Sequence, residues 1–218
     1  MKLSLGQKAI LLIFLVLLID QCIKFWIKLN MYPGQNFHVF GNWFIIHFTE
    51  NPGMAFGMRF GGSFGKLLLS TFRILAVFGI GWYLVHLAKT KAPVGLVLSI
   101  ALILAGAVGN ILDSAFYGLL FDKGSVFNPE LNDWISYGGV AQLSSHGYAG
   151  FLKGSVVDML YFPIISGHYP SWFPFVGSEP FEFFRPVFNI ADSSITVGVI
   201  IILLFQKKFF KQEKEQHN

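Results

Sequence analysis

The sequence has few charged residues and a single cysteine. Only 13% of its 218 residues are charged, whereas 54% are hydrophobic and 17% aromatic; a typical soluble domain is about 25% charged. A chain this rich in aromatic side chains is not intrinsically disordered. A disulfide-stapled scaffold is excluded because Cys22 has no partner cysteine. The composition therefore predicts an integral membrane protein, whose few polar residues within lipid are the candidates for function.

The apolar residues fall into runs that are long enough to cross a bilayer. A hydrocarbon core about 30 Å thick needs about 20 mostly apolar helical residues. Residues 195–205 are too short alone, but Pro186 suits the first turn of a helix and suggests an earlier start. The sequence thus predicts four transmembrane helices, at about residues 9–27, 67–87, 94–112 and 186–205.

The basic residues that flank these runs predict their orientation, because positively charged flanks stay in the cytoplasm. With four spans, most of the lysines that flank the runs lie on one side of the membrane: Lys2, Lys8, Lys89, Lys91, Lys207, Lys208, Lys211 and Lys214. We therefore expect both termini in the cytoplasm and residues 29–66 and 118–185 outside. The net charge of +4 then reflects topology and does not indicate a nucleic-acid surface.

The outer segments contain short alternating and aromatic stretches, such as residues 37–48, bounded by Gly, Pro and Asn. This pattern is typical of short strands. The expected fold is a mostly α-helical membrane protein with four transmembrane helices, a small extracytoplasmic β-rich cradle and inserted loops. We expect residues 1–218 to form one domain.

Acidic residues within the predicted spans are costly and usually functional. Asp20 lies four residues before Lys24, the favourable order for an ion pair on a helix, which favours a structural pair over direct chemistry. Gly106, Asn110 and Asp113 share one face of the third span and point into the bundle. Hydrogen bonding between helices is the alternative role for the last two residues.

Two more aspartates follow in the second half of the chain. Asp192 either caps a helix that starts after it or lies inside the fourth span, and the length of the span favours the latter. Asp158 separates two apolar runs and alone is either a cap or a catalytic group. Together with Asp113, both can reach the same outer level of the membrane. Two neighbouring carboxylates share one proton, so one can activate water while the other protonates the leaving group.

Other patterns give weaker indications. Residues 61–65 match G-x-S-x-G, but no predicted strand precedes them, which favours a hairpin loop over a nucleophile elbow. No H-E-x-x-H motif or cysteine cluster indicates a metal site. Arg73, inside the second span, is expected to pair with an acid or to extend to the surface. A transporter or proton pathway is the alternative function, although the cytoplasmic halves of the last two spans are nearly apolar.

Five short motifs resemble those of the lipoprotein signal peptidases (signal peptidase II), which are bacterial membrane aspartyl peptidases. Each motif is weak alone, but five in the family's order cover nearly the whole chain. They are D-x-x-x-K at residues 20–24, N-x-G-x-A-F at 51–56, G-N-x-x-D at 109–113, G-x-V-V-D at 154–158 and F-N-x-A-D at 188–192.

The resemblance implies that Asp158 and Asp192 are a catalytic pair that activates water without a cofactor or metal. It implies removal of signal peptides from prolipoproteins, by cleavage before a diacylglyceryl-modified cysteine. It places the protein in the bacterial cytoplasmic (inner) membrane, with an outer active site that contacts lipid and binds globomycin-like inhibitors. It gives supporting or substrate-binding roles to Asp20, Lys24, Asn51, Gly53, Ala55, Phe56, Asn110, Asp113, Asn189 and Ala191.

Two features depart from the family pattern. Ser114 stands where the family usually has arginine after G-N-x-x-D, so another residue must neutralise Asp113, and Arg73 and Arg185 are the candidates. Residues 114–153 and 163–185 are longer than the family's links. We expect both to be surface additions over the active site, as a lid or a docking surface.

Overall fold

The computed structural model describes residues 3–52, 62–163, 165–174, 177–183 and 186–215. Its helices are α1 (Leu5–Asn30), α2 (Gly62–Lys89), α3 (Val94–Leu112), a π-helix (Asp113–Tyr117), α4 (Gly118–Leu120) and α5 (Ile190–Glu215). Four helical stretches are long and apolar enough to cross a membrane, which confirms the predicted number: Leu5–Asn30, Phe64–Lys89, Val94–Leu120 and Ile190–Phe210.

The predicted start of the last helix at residue 186 is wrong. Val187–Phe188 forms a short strand, β8, and α5 begins only at Ile190. Asn189 caps the helix: its side-chain oxygen accepts from the Asp192 amide at 2.9 Å, and its own amide donates to Asp192 Oδ2 at 3.3 Å. This reciprocal capping places Asp192 in the first turn. The helix is nevertheless long enough to cross the membrane, because it continues past the predicted end to Glu215.

The expected β-rich cradle is present as a four-stranded antiparallel sheet in the order β1-β2-β5-β8. Its strands are β1 (Asn36–Phe40), β2 (Phe44–Asn51), β5 (Val156–Tyr161) and β8 (Val187–Phe188). Thr49 of β2 lies opposite Asp158 of β5, and Leu160 lies opposite Phe188. Because β8 leads directly into α5, the sheet brings Asp158 close to the start of that helix.

Two buried apolar clusters hold the helices and the sheet together. One lies where the end of α1, the sheet and the segment after α3 meet: Ile27, Met31, Phe48, Tyr117, Phe121, Ala141, Val157 and Met159. The other joins the four long helices at their opposite ends: Ala9, Leu84, Leu87, Leu96, Val97, Ala101 and Phe209. The first cluster supports the strand that carries Asp158.

The first long insertion, residues 114–153, is part of this core, contrary to the expectation of a surface addition. It contains the hairpin β3 (Val126–Asn128) and β4 (Asp133–Ile135) and is fixed to the bundle by Lys28. Lys28 is fully buried, pairs with Glu50 of β2 and donates to the Tyr137 hydroxyl at 3.1 Å. Its ammonium also lies over the rings of Phe121, Tyr137 and Tyr148. The second insertion forms the hairpin β6 (Ile165–His168) and β7 (Pro180–Phe183).

Helices α3 and α5 pack closely because α3 has glycine at the contact. A Cβ atom added to Gly106 would lie 2.1 Å from the carbonyl oxygen of Ala191 and 2.6 Å from Ile195 Cγ1. Small residues permit this close approach of two helix backbones within a membrane. The first turn of α5, which carries Asp192, is therefore held directly against α3.

We predict that Gly106→Ala lowers the thermal stability of the protein in detergent. The new methyl group must push α5 away from α3, and overpacking of this kind typically costs about 1–3 kcal/mol. Gly79→Ala is the matched control, because its Cβ would have no atom within 4 Å and alanine favours a helix. Equal melting temperatures for the two variants would contradict the packing described here.

Candidate active site

The sheet and α5 place two carboxylates on either side of one asparagine. Asn189 Nδ2 donates to Asp158 Oδ1 at 2.7 Å. The backbone amide of Asn189 donates to the Asp192 carboxylate, and its side-chain oxygen accepts from the Asp192 amide. Asn110 Nδ2 donates to Asp192 Oδ1 at 2.8 Å, and Asn110 Oδ1 accepts from Asn189 Nδ2 at 3.1 Å. The two carboxylates are thus joined by a short network of amide groups.

The two carboxylates lie in different surroundings. Asp158 is only 4% exposed on a strand within the sheet. Burial, reinforced by the negative charge of Asp192, raises the pKa of Asp158 to about 8, against the opposing effects of Lys24 and the bond from Asn189. Asp192 is half-buried in the first turn of α5, where the helix dipole and amide donors stabilise a negative charge. The raised pKa of Asp158 favours its protonated form near neutral pH.

One buried lysine lies between two further carboxylates, deeper in the bundle than Asp158 and Asp192, which are called the upper pair below. Lys24 Nζ is 2.9 Å from Asp20 Oδ2 and 2.8 Å from Asp113 Oδ2, and it donates to Asn110 Oδ1 at 3.2 Å. The structure contains the ion pair expected between Asp20 and Lys24. It also shows that Lys24 neutralises Asp113, the role for which Arg73 and Arg185 were the candidates.

Each of these two carboxylates also holds the backbone beside one member of the upper pair. Asp20 Oδ1 accepts from the amide of Ala191 at 3.0 Å, next to Asp192. Asp113 Oδ2 accepts from the amide of Val157 at 3.3 Å, next to Asp158. The charge of Lys24 therefore fixes, through two carboxylates, the positions of both chain segments that carry the upper pair.

Two residues of this network escaped the sequence analysis. Gln21 Nε2 donates to Asp113 Oδ1 at 2.8 Å and to Asp20 Oδ2 at 3.0 Å, and its Oε1 accepts from the Tyr117 hydroxyl at 3.2 Å. The available signal was a glutamine in an apolar span directly after Asp20. Tyr117 ends the π-helix that begins at Asp113, and such helices are often found at functional sites.

The remaining predicted residues are placed as follows. Asn51 ends β2, opposite Val156. Ser114 Oγ donates to the backbone oxygen of Asn110 at 3.0 Å. The rest lie outside the described residues: Gly53, Ala55, Phe56 and Arg185.

Two other predictions concern α2 and metal binding. The described part of the G-x-S-x-G pattern, residues 62–65, belongs to the first turn of α2 and not to a loop. Arg73 is half-buried and forms neither a hydrogen bond nor an ion pair with any described residue. Among the residues that the structure describes, no group of three or more His, Cys, Asp and Glu side chains could hold a metal ion.

Comparison with known proteins identifies relatives along most of the chain. A family model described as signal peptidase (SPase) II matches residues 12–208. The lipoprotein signal peptidase of Porphyromonas gingivalis (strain ATCC 33277) is 46% identical over 206 residues, which cover 93% of this chain and 84% of the relative. The lipoprotein signal peptidase of Amoebophilus asiaticus is 37% identical over 206 residues, which cover 93% of this chain and 79% of that relative.

The fold agrees with the sequence match. A bacterial membrane enzyme whose structure was determined by the in meso method at 2.3 Å resolution superposes with a TM-score of 0.56. It is 26% identical in sequence, and the superposition covers 92% of this chain and 88% of that enzyme. The chain therefore belongs to the signal peptidase II family, as a multi-pass bacterial membrane peptidase that processes the signal peptides of lipoproteins.

Proposed function

We propose that the protein is an aspartic endopeptidase in which Asp158 and Asp192 activate water and cleave the signal peptide just before a diacylglyceryl-modified cysteine. The observation that carries this proposal is the position of Asn189, which bonds to Asp158 and caps Asp192 at once. It keeps the two carboxylates together while their surroundings differ. A pair with one proton is the arrangement that water-activating aspartates need.

In this mechanism Asp192 is the base and Asp158 is the acid. Asp192 takes a proton from water, whose oxygen attacks the carbonyl carbon before the lipidated cysteine, and Asp158 gives its proton to the carbonyl oxygen. The resulting diol collapses: the C–N bond breaks, Asp192 passes its proton to the leaving nitrogen, and Asp158 recovers a proton from the diol. The cycle needs no covalent intermediate and no cofactor.

The orientation of the helices supports an outer active site in the inner membrane. Asp192 lies at the start of α5, whereas Lys207 and Lys208 lie near its other end, on the side where Lys89 ends α2. Positive flanks favour the cytoplasmic side, so the aspartates face the outer leaflet and both termini face the cytoplasm. A translocated prolipoprotein presents its lipidated cysteine at that level.

The proposal includes the other binding partners of the site. The site accepts a signal peptide with its diacylglyceryl group, borders membrane lipid, and would bind globomycin-like cyclic peptides in place of substrate. Asp20, Asp113 and Asp192 meet at one end of the bundle, which favours a one-sided site over a transport pathway. Residues 1–218 act as a single peptidase domain in this proposal.

Replacing either aspartate by asparagine should abolish cleavage of a lipid-modified prolipoprotein by the purified protein. Asparagine keeps the shape but cannot transfer the proton, and the loss of a general acid or base typically costs about 10²- to 10⁴-fold in rate. The control is Asp122→Asn, an exposed residue whose oxygen accepts from the Gln142 amide and would still do so as asparagine. Substantial activity in Asp158→Asn or Asp192→Asn would refute the pair.

The rate of cleavage should depend on pH through Asp158. Because Asp158 must carry a proton and its pKa is raised to about 8, kcat/KM should fall as the pH rises through about 8. The measurement is a pH profile of cleavage in detergent, with protein stability followed in parallel. A rate that keeps rising above that pH, in protein that remains folded, contradicts the assignment of Asp158 as the acid.

The variant Lys24→Ala should lower both thermal stability and activity. It leaves Asp20 and Asp113 as buried carboxylates without their cation, and breaking a buried pair typically costs about 3–5 kcal/mol. Lys8→Ala, at an exposed position on the same helix, serves as the control. If Lys24→Ala melts at the wild-type temperature in detergent, the described role of Lys24 is wrong.

A further inference from the structure

The site contains more negative than positive charge among its bonded groups. Lys24 is the one cation that hydrogen bonds or ion pairs join to this network within the described residues. Four carboxylates share the network: Asp20, Asp113, Asp158 and Asp192. Even with Asp158 protonated, three negative charges face one positive charge. Like charges in a medium of low dielectric disfavour each other's ionised forms, so a second cation would add to the amide donors that favour the ionised form of Asp192.

One face of α2 presents polar side chains to the segment that leads into β5. Lys66, Ser70 and Arg73 are spaced i, i+4 and i+7, which places them on the same side of the helix. Lys66 Nζ donates to Ser155 Oγ at 3.4 Å, and Ser70 Oγ donates to the backbone oxygen of Leu152 at 3.5 Å. These two contacts show that the polar face of α2 lies against residues 152–155, which precede Asp158 in the chain.

Arg73 is the next residue on this face, and it forms no hydrogen bond or ion pair with a described residue. Its side chain is half-buried, and its positive charge is attracted most strongly by Asp192 and then by Asp158. Side chains of a helix lean toward its N-terminus. The N-terminus of α2 follows the cradle strand β2, at the same end of the bundle as the start of α5. This lean takes the guanidinium toward that end of the bundle, and Asp192 and Asp158 are the carboxylates that attract it.

The other buried cations near the site are already engaged. Lys28 is paired with Glu50, and Lys66 bonds to Ser155 while its ammonium lies 4.5 Å from the centroid of the Trp134 ring. The charged and titratable groups linked to Asp192 by the hydrogen-bond network or by charge interaction are Asp20 and Lys24 from α1, Asp113 from the end of α3, Asp158 from β5 and Arg73 from α2.

We propose that Arg73 is a positioning residue of the active site, whose guanidinium supplies the second positive charge and holds Asp192 as the ionised base. This assignment rests on the aspartate-pair mechanism proposed above. It also gives a reason for an arginine within an apolar span, where an ionisable residue without a functional role is costly. Arg73 acts on the reaction through Asp192 and does not itself exchange a proton.

The test is the pH profile of kcat and kcat/KM for Arg73→Gln and Arg73→Lys on a lipid-modified prolipoprotein. Loss of the cation makes Asp192 harder to ionise, so the acidic limb of Arg73→Gln should move to higher pH by about one unit, a tenfold change in the ionisation equilibrium. Activity below this limb should fall in kcat, and Arg73→Lys should restore most of it. Thr71→Ala, an exposed position on the same helix whose hydroxyl donates to the backbone oxygen of Leu67 in that helix, should leave the acidic limb unchanged.

Thermal stability in detergent separates this role from a structural one. Since Arg73 bonds to no described residue, Arg73→Gln should melt at or above the wild-type temperature. A marked loss of stability, an unmoved acidic limb, or a change confined to KM would each overturn the proposal. The variants Asp158→Asn and Asp192→Asn, measured alongside, show whether the aspartate pair itself stands when the Arg73 assignment fails.

Discussion

The site depends on one buried ammonium group. Lys24 lies at 2.9 and 2.8 Å from carboxylate oxygens of Asp20 and Asp113, and all three side chains are excluded from solvent. Each carboxylate also accepts a backbone amide from a different element, α5 or β5. In lipid these carboxylates could not remain charged without the cation. Without their charge, the hydrogen bonds that they accept from both backbone amides would be weaker. Lys24 thus fixes the positions of Asp158 and Asp192 through Asp20 and Asp113.

The contrast between the upper aspartates arises from their secondary structure. A strand within a covered sheet removes Asp158 from water, whereas the first turn of a helix surrounds Asp192 with amide donors. Asn189 belongs to both environments, because it lies between β8 and α5. The short strand that delays the start of α5 is therefore what brings the capping asparagine within 2.7 Å of Asp158. The sheet and the capped helix form one functional unit.

Local patterns in the sequence predicted the features that depend on neighbouring residues. Apolar run lengths gave the four spans, the spacing of Asp20 and Lys24 gave their ion pair, and the shared face of Asn110 and Asp113 placed both in the bundle. The start of α5 was missed because pairing of residues 187–188 with β5 outweighs the helical preference after Pro186.

Contacts between distant segments could not be read from spacing. The bond between Lys24 and Asp113 joins residues far apart in the chain, and the role of Gln21 depends on the helix that packs beside it. Lys28 directly follows the predicted first span at residues 9–27, a position typical of a flanking charge at the membrane boundary. It is instead buried, because the first insertion supplies aromatic rings and Glu50 supplies the opposite charge. Tertiary packing decided each of these cases.

The proposed mechanism requires one aspartate of the pair to be protonated and the other to be ionised at neutral pH. Infrared difference spectroscopy on protein with isotope-labelled aspartate carboxyl groups measures this directly, by comparing wild type with Asp158→Asn and with Asp192→Asn. Asp158→Asn should remove a band of a protonated carboxylic acid, and Asp192→Asn should remove a carboxylate band. Two carboxylate bands, or the reverse assignment, would contradict it.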